Sequence, residues 1–517
     1  MASNFNGKKR IKTEKHWQQV GLYPHHGVAL SLSSLRSRKS SGIGEFYDLL
    51  PLIDWVQSIG FDCIQLLPLN DAGNDISPYD ALSSCALDPV YLSLSALDDP
   101  ADLESFRELT NQTRTPIHEV KKKKMAWLYS YFQKRFQTIS QTPAYAAFLQ
   151  NHSWLLPYAL FKTYKHQFKH ISWQNWPSPF RDYNLKQLHP SEESIHFHTF
   201  LQYLCFKQLS YVKSYASSRR IFLKGDISIL LSPDSADVWA NRPLFDLSLA
   251  AGSPPDYYNK EGQNWGFPLI NWEAMRQTNF SWWKERLKTS ELFFHLYRLD
   301  HVVGFFRIWA IPPDKQAKEG HFIPEDPRLW EAHGEAILEM MLDSSPLLPI
   351  AEDLGTIPKE VPITLKRLGI CGTKVIRWQR DWEHCQGAFI PYSSYEPFSM
   401  TTVSTHDSDT LSGWWQNFPD EAKAFATFKG WAYETKLSKE RLLEILHDAH
   451  HTPSYFHINL LQEYLALFPE LVHANVDDER INIPGTQSDK NWTYRFVPYL
   501  EEIMDHKALA DAMRSLR

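Results

Sequence analysis

Along the chain, short apolar runs alternate with amphipathic stretches. Five runs share one form, an apolar segment closing in polar or charged residues: Phe61 to Leu69, Arg220 to Asp226, Phe293 to Asp300, Leu347 to Glu352 and Met400 to Asp407. Such runs read as strands buried in a parallel sheet. Between them, residues 46–59 and 359–368 carry helical amphipathic patterns. Strand–helix alternation predicts an α/β fold. At 517 residues, a (β/α)8 barrel of the TIM type with large, mainly helical insertions accommodates the whole pattern.

One region breaks the rhythm. Residues 100–215 read as almost wholly helical, which divides the chain into a disordered leader (1–20), a first part of the barrel (21–99), a helical insertion (100–215) and the rest of the barrel (216–517). The run Lys121 to Lys124 reads as a solvated first turn beside an apolar helix face. Residues 251–272, rich in Pro, Gly and aromatics, predict a long ordered loop, and such loops are often functional.

Composition narrows the function classes. Apolar residues make up 43% of the chain, enough for a large core, and most of the 19 Trp belong in it. The formal net charge of −6 lacks the basic excess of a nucleic-acid binder. No window approaches 18 consecutive apolar residues, so no membrane partner is expected. The leader has no apolar region of a secretory signal. Cys63, Cys85, Cys205, Cys371 and Cys385 are odd in number and scattered. They predict reduced, buried thiols and a cytoplasmic protein rather than a disulfide framework.

The chemistry lies in the carboxylates. Asp226, Asp300, Glu352 and Asp407 each close a predicted strand, and an apolar strand ending in a bare acid is unfavourable unless the acid is used or paired. Strand C-termini of a parallel barrel converge on the active face. Clustered carboxylates suit glycosidic cleavage, in which one acid protonates the leaving oxygen and another attacks the sugar carbon. Arg298, two residues before Asp300, points to the same side of the strand and suits an ionised nucleophile. Glu352 follows the apolar run LLPIA, a wall that suits a protonated general acid.

Blander readings stand beside these. Asp234 and Asp237 are read as caps of the helix after the third strand. Asp353 is either structural or orients Glu352, with structure favoured. Asp71 to Asp80 lacks the Gly and Glu of an EF-hand, having Ile76 and Leu82 there. Gly42-Ile43-Gly44 lacks the third glycine of a dinucleotide loop. Neither metal nor cofactor is expected.

At these residues the chain resembles the 4-α-glucanotransferases of the amylomaltase, or disproportionating-enzyme, family, relatives of the α-amylases. The motif R-x-D-H-x-x-G-F matches Arg298, Asp300, His301, Gly304 and Phe305; A-E-D-L-G matches Ala351 to Gly355; T-H-D-x-D-T matches Thr405 to Thr410. Pro254 to Tyr257 with Gly262, Gln263, Trp265 and Gly266 resembles the family's lid loop. Ser77-Pro78-Tyr79 resembles a cleft loop, and Arg480, Asn482, Pro484, Gly485 and Thr486 resemble the C-terminal loop facing the lid. The similarity spans residues 21–496. Departures are Ser228 for Pro, Ser408 for Asn and Pro157 for an acid.

The resemblance implies Asp300 as nucleophile, Glu352 as acid/base and Asp407 as transition-state stabiliser. It implies Tyr79, Asp226, Asp256, Gln263, Trp265, Arg298, His301, His406 and Asn482 as substrate-binding residues. His301 alone also reads as a satisfied core histidine. The expected partners are an α-1,4-glucan donor and a glucose or maltodextrin acceptor, with no obligate protein partner. A retaining hydrolase with the same triad is the alternative, and a non-catalytic glucan binder the third reading. Lid and C-terminal loops favour transfer over hydrolysis by analogy to the family.

Overall fold

The computed structural model describes residues 11–255, 260–382, 385 and 387–517. Eight strands form its central sheet: β1 (His25–Leu30), β2 (Cys63–Leu66), β3 (Phe222–Ile227), β4 (Leu296–Leu299), β5 (Leu348–Ala351), β6 (Gly372–Val375), β7 (Ser399–Thr402) and β8 (Phe456–Leu460). All neighbours are parallel, and their order, β6-β7-β8-β1-β2-β3-β4-β5, is chain order wrapped round. Across the remaining gap Ile350 pairs with Cys371, and the Ala351 N–H donates to the Cys371 carbonyl at 2.7 Å. The sheet thereby closes into a barrel. Strands β2, β5, β7 and β8 are buried at every position, and in β5 this shows in the sequence as a continuous apolar run, Leu348–Ala351.

The helices follow from local signals. Helix Glu360–Leu368 ends where Gly369 takes the left-handed conformation at φ 77°. Helix Lys439–His450 begins at Ser438, whose hydroxyl accepts from the Arg441 N–H. Between β2 and β3 lie the long helices Ile117–Ser140 and Glu192–Ser218, with Pro143–Asn151 and Leu155–Gln167 between them. Pro157 falls in the first turn of its helix, where a missing N–H costs nothing.

Four expectations need correction. Residues 11–20 are not disordered: Glu14–Val20 is a helix, and Trp17 is buried, its indole donating to the Gly369 carbonyl at 2.9 Å. A large aromatic with a core to enter overrides the polar look of the segment. Residues 1–10 lie outside the described residues. The lysine run is not wholly solvated: Lys124 is fully buried, paired with Glu45 at 2.6 Å and donating to the Leu92 carbonyl at 2.7 Å. A buried ammonium is tolerated when it is paired and hydrogen-bonded in this way.

The segment read as a loop over 251–272 is instead a hairpin. Strands Phe245–Ser253 and Gln263–Ile270 pair antiparallel, and Ile308–Ile311 and His321–Ile323 extend them to a four-stranded sheet. Both insertions follow the C-terminal ends of β3 and β4, so this sheet stands on the face where the acids emerge. Gly252 permits the close pairing, since a Cβ there would sit 2.0 Å from the Gln263 carbonyl oxygen. Asp256, with Tyr257, lies outside the described residues. Among the cysteines, Cys63, Cys85, Cys205 and Cys371 are buried and free, but Cys385 is exposed, against expectation. No helix among the described residues is long and apolar enough to cross a membrane.

Candidate active site

Arg298 organises the cleft. It sits in β4, and the acids of the neighbouring strands turn toward it. Its Nη1 lies 2.9 Å from Asp226 Oδ1 and 2.7 Å from Asp300 Oδ1, and its Nη2 lies 3.6 Å from Glu352 Oε2. Asp226 belongs to β3, Asp300 follows β4 directly and Glu352 follows β5 directly. Burial lowers the Arg298 guanidinium, but Asp226 and Asp300 outweigh it and hold the charge firmly in place. One cation against three carboxylates favours positive charge building on a bound sugar carbon.

The acids differ in access. Asp300 and Glu352 keep 21% and 13% of their side-chain surface exposed, whereas Asp226 keeps none. The Asp226 carboxylate is occupied by Arg298 and by the Tyr79 hydroxyl, which donates to it at 2.7 Å. Asp226 was read as a sugar ligand. Its side chain has no exposed surface, and burial raises its carboxyl above the usual range. Burial also raises the Tyr79 phenol well above its ordinary value.

Glu352 is met by hydrogen bonds rather than by an apolar wall alone. The His301 N–H donates to Oε2 at 2.9 Å and the Leu354 N–H to Oε1 at 2.8 Å. His301 achieves this through a left-handed backbone, φ 44°, that a non-glycine residue adopts only under constraint. Its ring is half-buried, burial lowers its pKa, and it packs edge-on against Trp265 at 5.0 Å. The Trp265 indole donates to Gln263 Oε1 at 3.1 Å. The hairpin is thus tied to the site through His301.

Asp407 is built differently. It lies beyond the end of β7, on irregular backbone. Asn482 Nδ2 donates to its Oδ1 at 2.7 Å, and His406 Nε2 lies 3.2 Å from its Oδ2. Burial alone raises this carboxyl, but His406 and Asn482 more than offset that and hold it at about 2. Burial likewise lowers the His406 imidazole, and Asp407 reverses the shift, so that it stands above its ordinary value. The Tyr79 ring stacks on His406 at 5.4 Å and joins the two halves of the cleft. Ser408, a departure from the family pattern, accepts from the Thr405 N–H at 3.0 Å and closes the turn that carries Asp407.

Asp234 and Asp237 do not cap the helix Ala236–Ala240; Ser235 does. Asp237 accepts from Ser84 and the Trp282 indole, and Asp234 pairs with Lys165, so both tie loops together. Asp353 accepts from the Thr373 N–H at 2.6 Å and faces β6; burial raises it to about 6 against the pull of Lys374. Sequence reasoning missed Trp492, whose ring lies 5.5 Å from Tyr79 and 5.8 Å from His406. It stands outside any regular element, so no periodicity marks it.

A closed barrel that gathers carboxylates from β3, β4, β5 and the loop after β7 is a framework for enzymes acting on glycosidic bonds. A family model described as 4-alpha-glucanotransferase matches residues 30–500, and the chain belongs to that family. It is 45% identical to a 4-alpha-glucanotransferase of Chlamydia pneumoniae, over 96% of this chain and 97% of that one. It is 44% identical to a 4-alpha-glucanotransferase of Chlamydia caviae, over 96% and 95% respectively. Among solved structures it resembles an amylomaltase from Streptococcus agalactiae in complex with acarbose. The TM-score is 0.80 at 23% identity, over 95% of this chain and 98% of that one, a likeness of fold.

Proposed function

We propose that this enzyme moves α-1,4-glucan segments to the 4-hydroxyl of an acceptor glucan by a retaining double displacement. The observation that carries the reading is the Arg298 guanidinium within 4 Å of Asp226, Asp300 and Glu352 at adjacent strand ends. Asp300, aligned by Arg298, attacks the anomeric carbon, and Glu352 gives a proton to the departing oxygen. A glucosyl–Asp300 ester forms. Glu352 then takes the proton from the acceptor hydroxyl, which displaces Asp300. Asp407, steadied by His406 and Asn482, holds ring hydroxyls as the sugar flattens. Tyr79, Trp265, His301 and His406 offer ring faces and polar edges to the sugars.

Transfer must outrun water, present at about 55 M, and an acceptor held in near-attack geometry reaches effective molarities of roughly 10⁵ M or more. The hairpin bearing Trp265 and residues 480–486 form the walls that hold it, with Asp256 an expected contributor. We assign the enzyme to the cytoplasm on its scattered, unbridged thiols. Incubation with maltotriose alone tests the activity. A transferase gives glucose and a ladder of longer maltodextrins while reducing ends stay constant. Reducing ends rising in step with maltotriose loss, with no product longer than the substrate, would establish a hydrolase instead.

A further inference from the structure

Asp407 and Asn482 both stand on irregular backbone, yet the bond between them is 2.7 Å long and depends on where each loop lies. Something must fix the two loops to each other. One guanidinium spans the junction. Arg480 Nη1 donates to Asp409 Oδ2 at 2.8 Å, and its Nη2 donates to the carbonyls of Asp407 at 3.3 Å and Asn482 at 3.2 Å. The Asn482 N–H adds a bond to the His406 carbonyl at 3.1 Å. Asp409 is itself anchored: its carbonyl accepts from Arg377 Nη2 at 2.7 Å and its Oδ1 from Asn417 Nδ2 at 3.3 Å. The Arg480 and Asp409 side chains are only 18% and 10% exposed. Arg480 meets the backbone of Asp407, not its carboxylate.

We propose that Arg480 and Asp409 are positioning residues: their ion pair clamps residues 480–482 onto the Asp407 loop and thereby sets where the Asp407 carboxylate stands. This rests on the reading of Asp407 as the transition-state stabiliser. The clamp uses the planar fork of arginine, whose two terminal nitrogens reach three acceptors on two loops. A lysine ammonium keeps the charge but cannot match that spread. A carboxylate displaced by about 1 Å loses contacts that strengthen only as the sugar flattens, which lowers kcat about 100-fold and leaves ground-state binding nearly intact.

The test is Arg480→Lys and Asp409→Asn, singly and combined, with maltotriose disproportionation kinetics and thermal unfolding measured on each. The expected result for Arg480→Lys is a kcat about 100-fold lower with KM within about threefold of the wild type. The double variant should be no slower than the slower single, because both act through one contact. A folded Arg480→Lys with wild-type kcat would overturn the clamp, as would a loss confined to KM or losses that multiply in the double variant. Should Arg480→Lys fail to fold, Asp409→Asn preserves shape and carries the same test. Wild-type enzyme that cannot disproportionate maltotriose would remove the functional reading itself; wild-type activity with unaffected variants sinks only the clamp.

Discussion

At the C-terminal end of the barrel Asp226, Asp300 and Glu352 surround Arg298, whereas at the N-terminal end His26, His450 and His457 stack on one another. In the first group each carboxylate faces the Arg298 guanidinium, and the cleft leaves the Asp300 and Glu352 side chains partly exposed. The second avoids charge. Burial lowers His26 to about 3 and His457 to about 4, and pushes His450 well below its ordinary value, with neighbouring imidazoles adding to the effect. His26 Nδ1 and His450 Nδ1 approach to 2.7 Å, which requires one to donate and the other to accept. One fold therefore solves the burial of ionisable groups twice, by pairing where chemistry needs ions and by neutrality where it does not.

The largest effect should come from removing one ion at the paired end. Asp300→Asn preserves volume and removes the nucleophile, so turnover should fall by at least about 10⁴-fold. Folding and glucan binding should survive, as read by circular dichroism and by titration with maltodextrin. Near wild-type turnover would refute the assignment of Asp300.

At the neutral end the effect is on stability. A histidine whose folded pKa is depressed is protonated first in the unfolded chain. Stability is therefore complete above the unfolded value, about 6.5, and is lost as pH falls below it toward the folded value. His450→Asn should remove up to about 1.4 kcal/mol per pH unit from the slope of stability between about pH 6 and 4. Urea unfolding at several pH values measures it, and an unchanged or steeper slope would show that His450 takes up its proton while folded.

A smaller effect sharpens the comparison inside the barrel. Lys224 lies between the two ends, fully buried, donating to Gln65 Oε1 at 2.9 Å, and burial pushes it down to about 7. Between that value and the unfolded one near 10.5 the unfolded chain holds a proton the folded chain lacks, so stability rises with pH across this window. Lys224→Met should stabilise the protein at pH 7, by on the order of 1 kcal/mol, with the gain shrinking toward pH 10. A variant no more stable at pH 7 would mean the ammonium is better paired than its neighbours suggest.

How much of this was legible in the sequence follows from the same physics. Some barrel strands showed because both faces are buried: β5 is an unbroken apolar run, whereas β8, interrupted by His457 and Asn459, was not read as a strand. Asp300 and Glu352 showed because they interrupt such runs at their ends. The hairpin at 245–270 did not, since prolines, glycines and aromatics hide its alternation. Nor did Lys124 and Asp226, whose burial depends on partners distant in sequence, Glu45 and Arg298. Trp17 shows the reverse: one aromatic in a polar segment was enough to dock a helix. Arg480 and Asp409 stood within the recognised motifs, but their joint action needed coordinates, because residues 71 positions apart meet only in the fold.

The central claim is that Asp300 forms the covalent bond and Glu352 moves the proton. Glu352→Gln supplied with α-maltosyl fluoride tests it directly, because fluoride leaves without protonation while the variant has no base to complete the transfer. The account predicts that intact and peptide mass spectrometry will find a maltosyl ester on the peptide containing Asp300, accumulating faster than it turns over. A maltosyl group on any other residue, or folded Glu352→Gln that releases fluoride and never carries an ester, would contradict it.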